Sequence, residues 1–387
     1  MAAKNLKKKN GIFAAVGAAT GLGNAFRFPA LCVKYGAAFV IAYAVVLAAV
    51  CYPLLVAELR FGRRKTGGKA AKIWAVIMRL AAANSALIAL YYGVIAAKLG
   101  SASMSFALFG GLEGGGAPLL FYAALFAVLC AAYVLIKGAP RALSISGKLS
   151  VFLSLALFCC LSVAGIVRGG AFSSLNPSSL SRGGIWIDAL GQSLLALSLA
   201  AGVMPSYAKT LPEGSSSAMA ALKIVAANFI ACILATLSVL PFSVTFSRTV
   251  GVMCAIDAYS QVISALCSGG AGVRALGAAV FAVLTVVAVH SLSSLAFPAA
   301  ADAAGKIRFA PLAFCIVAAC LAPLFAADGM RVLNACDKIA CSVNAVAIAV
   351  FESIFFISQG DIAGVKLTFE QKRRKIVYGK KRKKRAL

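Results

Sequence analysis

Arg27, Glu58 and Asp337 lie in or beside long apolar runs of this 387-residue sequence, and the amides Asn24, Gln192 and Asn228 lie there too. A charged side chain at the centre of a bilayer costs about 2.5–3.5 kcal/mol on insertion scales, so function is the better default explanation for one. Side chains of this kind bind ions and polar ligands; bond-breaking chemistry needs more. With one histidine in the chain, His290, a hydrolytic triad or a histidine-rich metal centre has little to draw on. The twelve cysteines form no CxxC pair and no Cys/His cluster, which removes the usual zinc frameworks. Gly17, Gly21 and Gly23 lack the dinucleotide-binding spacing, and no strand precedes them. The sequence reads as a binding or transport protein and not as an enzyme.

Lipid is the environment that the elements around these groups require. The chain is 62% hydrophobic and 13% charged, against about 45–50% and about 25% for soluble domains. Its apolar runs do not alternate with period two, so helices and not a β-barrel must cross the bilayer. Ten candidate spans follow: 11–30, 37–57, 73–108, 118–137, 149–168, 186–207, 217–247, 275–300, 308–327 and 333–358, each near or above the roughly 20 residues that cross a membrane. Most cysteines fall inside these runs, as small hydrophobes; Cys267, Cys336 and Cys341 lie near helix ends, where a disulfide stays open. The lysines before the first run resemble a secretory signal, but the glycines and the following Arg27-Phe-Pro29 read as an uncleaved first helix.

Charge sets the orientation. The net charge of +27 invites a nucleic-acid reading, but the basic residues sit between apolar runs and in the tail from Lys372 to Arg385. Arg60, Arg63, Arg64, Lys65, Lys69 and Lys72 fill one loop, and Lys137, Arg141 and Lys148 another. Cytoplasmic loops collect such charge. The reading is a multi-pass inner-membrane or plasma-membrane protein with both termini cytoplasmic, the basic tail near anionic lipid, and no nucleic-acid partner.

Two spans are poor helices. The first carries Gly17, Gly21 and Gly23 ahead of Asn24; the sixth carries Ser198-Leu-Ala-Ala-Gly202 after Gln192. Glycine inside a helix costs about 1 kcal/mol relative to alanine. Spans one and six correspond if the chain is two five-span repeats, 11–168 and 186–358, between a basic N-terminus (1–10) and a basic tail (359–387). Interrupted helices at matching positions of two halves point to a binding site at the membrane midplane. The expected fold class is thus an all-α polytopic membrane protein, an inverted five-helix repeat with helices 1 and 6 broken and about ten transmembrane helices.

The stretch Gly17-Ala-Ala-Thr-Gly-Leu-Gly-Asn24-Ala-Phe-Arg27-Phe-Pro29 resembles the first-helix signature of the neurotransmitter:sodium symporter family, in its bacterial amino-acid transporter branch. The likeness continues through Gly36-Ala-Ala-Phe39, Tyr43 and Pro53-Leu-Leu-Val-Ala-Glu58-Leu-Arg-Phe-Gly62. Tyr91-Tyr92, Trp186-Ile-Asp-Ala-Leu-Gly-Gln192, Asn228, Leu333-Asn-Ala-Cys-Asp337 and Phe351-Glu352 resemble later signatures. The family usually has twelve spans; the last two have no counterpart here.

The resemblance implies a role for each residue. Carbonyls of Gly17, Ala19 and Thr20 at the first break would face sodium, a hard cation suited to oxygen. Asn24 and Asn228 would complete a first sodium site, to which Ala196 gives only a carbonyl where the family has a threonine. Ser293 and Ser294 would serve a second site beside His290, and a register using Ser291 is nearly as good. His290 reads as a buried hydrogen-bonding residue or a proton carrier. The amides of Leu22 and Gly23, at a half-helix N-terminus, would take a substrate carboxylate, with Tyr92 donating to it. Ala19, Ile88, Leu195, Ser198 and Ala201 would line the remaining pocket. Leu195 and Ala201 stand where the family often has rings, which predicts a roomy pocket for a large side chain. Arg27, Asp337 and Gln192 would form an external gate, and Glu58 would brace the broken sixth helix.

These readings describe a sodium-coupled symporter of amino acids working by alternating access, with no organic cofactor. The alternative is a proton-coupled or non-transporting member of the same fold that senses its substrate. Gly21 stands where monoamine carriers of the family place an aspartate, so a free amino acid, which brings its own carboxylate, is the expected ligand.

Overall fold

A computed structural model describes residues 11–64, 67–112, 117–168, 183–212, 214–242, 244, 253–267, 269–304, 309–326 and 331–359. The basic N-terminus, 1–10, and the basic tail from residue 360 lie outside these residues. Helices carry the described chain: α1 (Gly11–Ala19), α2 (Leu22–Tyr35), α3 (Ala37–Arg63), α4 (Gly68–Phe109), α5 (Ala117–Lys137), α6 (Arg141–Val167), α7 (Gly183–Ala196), α8 (Val203–Ala208), α9 (Ser217–Leu237), α10 (Met253–Leu266), α11 (Gly270–Ala304), α12 (Ala310–Ala326) and α13 (Arg331–Ser358). No strand occurs among the described residues.

Seven of these helices are long and apolar enough to cross a membrane on their own. The first span is α1 with α2, the sixth is α7 with α8, and the ninth is the shorter apolar helix α12. All ten expected spans are therefore helical. Their outer faces are apolar: Leu119 and Phe126 on α5 and Val163 and Val167 on α6 are more than half exposed. An aqueous surface seldom carries so much contiguous apolar area, whereas hydrocarbon favours it.

Hydropathy misplaced several ends. The fifth span begins at Arg141 and not near residue 149, because the helix continues through Lys148. Long basic side chains can lie along a helix end with their charge in the interface, so charge does not stop the helix. Span seven ends at Leu237 with a short 3-10 turn at Leu240–Phe242, and α10 then forms a helix that the span reading missed. The second and tenth spans each contain a π turn, Leu47–Cys51 and Ile339–Asn344, a feature that often marks functional positions.

The core gathers the polar residues. Asn24, Glu58, Gln192, Ser193, Asn228, Ser293 and Glu352 are fully buried. Buried polar groups require partners: Ser193 and Ser293 bond carbonyls of their own helices, while Asn24, Asn228, Gln192 and Glu58 find theirs at the breaks of the two interrupted spans.

Candidate functional site

The first span breaks at Thr20 and Gly21, between α1 and α2. There the Ala19 carbonyl accepts from Asn24 Nδ2 at 3.0 Å and from Asn228 Nδ2 at 2.6 Å. Asn228 Nδ2 is also 3.4 Å from Asn24 Oδ1, and Tyr43 donates its hydroxyl to Asn228 Oδ1 at 2.7 Å. Three residues from spans one and seven thus share one buried point. An amide turned about its last bond exchanges NH2 for oxygen. The same cluster can then present carbonyl and amide oxygens only, which is a donor set that fits a hard cation. Thr20 spends its hydroxyl on the Val16 carbonyl at 3.0 Å.

The sixth span breaks from Leu197 to Gly202, where Ser198, Ala200 and Gly202 have φ of 50°, 54° and 69°. For alanine the left-handed region costs about 1–2 kcal/mol, so Ala200 needs external support. Glu58 supplies it by accepting from the Ala200 amide at 2.9 Å. Both Glu58 and its neighbour Glu352 are fully buried.

An inner cavity of about 10 Å³ lies between the two breaks, lined by Leu22, Gly23, Tyr92, Leu195, Ala196 and Ser198, with Ala18, Gly21, Ser291 and Leu295. A second of about 10 Å³, against Ile88, Leu195, Ser198 and Ala201, adjoins it. Each has room for about one water. The expectation of a roomy pocket therefore fails: Leu195 and Leu295 close over the space that missing rings would have left. Ala19 reaches neither cavity, and its carbonyl belongs to the asparagine cluster.

Outside Leu195 a vestibule of about 500 Å³ opens, lined among others by Phe26, Arg27, Tyr92, Asp188 and Asp337. Arg27 and Asp337 approach to 3.7 Å, each about a fifth to a quarter exposed. Tyr91 donates to Asp337 Oδ1 at 2.9 Å. Gln192 donates to the Gly23 carbonyl at 3.2 Å. The arrangement is an open vestibule ending on a charged pair, then one leucine, then the breaks.

Residues 4–109 match the model of the Sodium:neurotransmitter symporter family. Over those residues the chain is similar to that family. Its members are transporters, not enzymes. The chain is 27% identical over 271 residues to an uncharacterized sodium-dependent transporter of Bacillus subtilis, YhdH; the match covers 61% of this chain and 58% of that protein. The fold matches the crystal structure of MhsT in complex with L-phenylalanine with a TM-score of 0.77 at 22% identity, over 91% of this chain and 90% of that one.

Within that fold, three sequence-derived groups come together: Asn24 with Asn228 and Ala19, Arg27 with Asp337, and Glu58 with the sixth-span break. Leu22, Gly23, Tyr92, Leu195 and Ser198 share the inner cavity, and Ile88 with Ala201 the adjoining one. The eighth span differs from the preferred register. Ser293 donates to the Val289 carbonyl within its own helix at 2.7 Å, and Ser294 is 3.0 Å from the Tyr207 hydroxyl. Ser291 is the hydroxyl that reaches the first span, accepting from the Leu22 amide at 3.2 Å. A Cβ on Gly21 would sit 2.4 Å from its Oγ. The space that glycine leaves at position 21 is therefore taken by Ser291. Sequence reading also missed Ala18, Leu295 and Tyr91; the Tyr91-Tyr92 pair was visible, but not that Tyr91 turns to the gate. Cys267, Cys336 and Cys341 are free thiols, so the open disulfide is not formed.

Proposed function

We propose that the protein is a sodium-coupled amino-acid symporter. The observation that carries this reading is the convergence of Asn24 and Asn228 on the Ala19 carbonyl at the break in the first span. Three oxygen-bearing groups, buried together beside a pocket that ends on helix-start amides, suit a cation and a carboxylate held side by side. The relatives support the sodium part, and MhsT is a structural neighbour captured with an amino acid. The substrate carboxylate would sit on the Leu22 and Gly23 amides, with Tyr92 beside it. Sodium would take Ala19, Asn24, Asn228 and the Ala196 carbonyl. The repeats 11–168 and 186–358 would rock about this point in a cell membrane, with the basic loops on the cytoplasmic side.

Binding of radiolabelled amino acids to purified protein, screened over all twenty with and without sodium, tests the reading. Sodium-dependent binding and uptake into proteoliposomes support it. Binding without uptake identifies a sensor on the same fold. Tryptamine competing as well as tryptophan removes the carboxylate from the recognition.

Two expected results belong to this site. Ser291→Ala frees the Leu22 amide for the ligand. A neutral hydrogen bond contributes about 0.5–1.5 kcal/mol, so amino-acid affinity rises by about two- to tenfold. Equilibrium binding checks it, and a loss of affinity would mean that the hydroxyl supports the ligand instead. Arg27 and Asp337 act as a pair, because removing one leaves the other charge stranded in a poorly hydrated site. Transport assays in a double-mutant cycle of Arg27→Ala and Asp337→Ala give a coupling of about 0.5–3 kcal/mol. Additive losses would dissolve the gate.

A further inference from the structure

The second cation site implied for spans one and eight is already filled. On that reading a sodium ion would lie between Gly17 of α1 and the hydroxyls of Ser293 and Ser294 on α11. The residues present do not fit such an ion. Ser293 keeps its hydrogen bond to Val289, and Ser294 faces Tyr207. The side chain that crosses from α11 to α1 is His290. A Cβ on Gly17 would lie 2.7 Å from His290 Nε2, and one on Gly147 of α6 would lie 3.0 Å from Cε1.

The helices have closed around this ring. A Cβ on Gly17 would also lie 2.6 Å from the Gly147 Cα, and one on Gly147 would lie 2.7 Å from the Phe13 carbonyl. Two glycines on different helices therefore make the slot, and the imidazole occupies it with 1% exposure. Ser146 Oγ lies 2.8 Å from Nδ1 and Ser294 Oγ 3.4 Å from Nε2, so the ring is tied on both sides. A hard cation needs a shell of several oxygens around a volume of its own. Here an aromatic ring takes that volume, and a packed interior does not yield it without moving a helix.

We infer that this chain carries one sodium ion per cycle, and that the imidazole of His290 occupies the place of a second. The inference rests on the sodium-coupled reading above and narrows it to the asparagine cluster alone. It is tested by counting radiolabelled sodium bound to purified protein at saturating amino acid, together with the steepness of the sodium titration. One ion per chain and a non-cooperative titration are expected. Two ions per chain overturn the inference and leave sodium coupling intact. Binding that ignores sodium overturns both. His290→Thr exchanges the ring for a hydroxyl between the two glycines, and the folded variant is expected to bind a second ion. A count that stays at one in that variant removes the ring as the cause. If the variant does not fold, the count on the unaltered protein still decides.

Discussion

Asn24→Ala and Asn228→Ala each raise the sodium concentration that half-saturates amino-acid binding by about ten- to a hundredfold. Interactions with a charged partner contribute about 1.5–3 kcal/mol, and each 1.4 kcal/mol is about tenfold in affinity. Both amides meet at the Ala19 carbonyl, and neither is exposed. Ala196 has no side-chain oxygen to add, so the site has no spare ligand to absorb the loss. Asn228→Ala also strands the buried Tyr43 hydroxyl, whose acceptor is Asn228 Oδ1, so that variant loses stability of the ion-free fold as well. Sodium titrations of binding on the two variants decide the matter. Half-saturation that does not move in either would separate the cluster from the cation.

Glu58→Ala destabilises the folded protein by several kcal/mol, whereas Glu58→Gln leaves it nearly as stable. The Ala200 amide is buried and donates to Glu58 Oε1. An orphaned buried donor costs about 1–3 kcal/mol, and the φ of 54° at Ala200 then loses the contact that holds it. Truncation also leaves a void beside Glu352, and large-to-small changes in a core cost about 2–5 kcal/mol. Glutamine keeps an oxygen for Ala200 and brings an NH2 toward Glu352. Thermal unfolding in detergent, followed with and without ligand, compares the two variants. Equal stability of the alanine and glutamine forms would mean that the sixth-span break stands without its brace.

The sequence by itself determined the ten spans, the breaks and the polar residues worth watching, but not the helix α10 between spans seven and eight. Apolar length and loop charge are local properties, and lipid reads them one span at a time, so ten spans were legible. The breaks were legible because glycines at 17, 21 and 23, and the run from Ser198 to Gly202, oppose a helix wherever the chain lies. Asn24, Arg27, Glu58, Asn228 and Asp337 stood out because polar groups in apolar runs have a cost that must be met. Tertiary packing alone decided what meets them. The rotation of the eighth span about its axis is fixed by its packing, above all against α4 and also against α5, α6 and α1, and four neighbouring polar residues, His290, Ser291, Ser293 and Ser294, offer nearly equal patterns to a sequence reader. One residue of register turns a helix by about 100°, which is why Ser291 and not Ser293 faces the Leu22 amide and why His290 lies between Gly17 and Gly147. The size of the pocket was likewise undecidable from small residues at single positions, because cavity volume depends on how Leu195 and Leu295, from two different spans, fold over the same space.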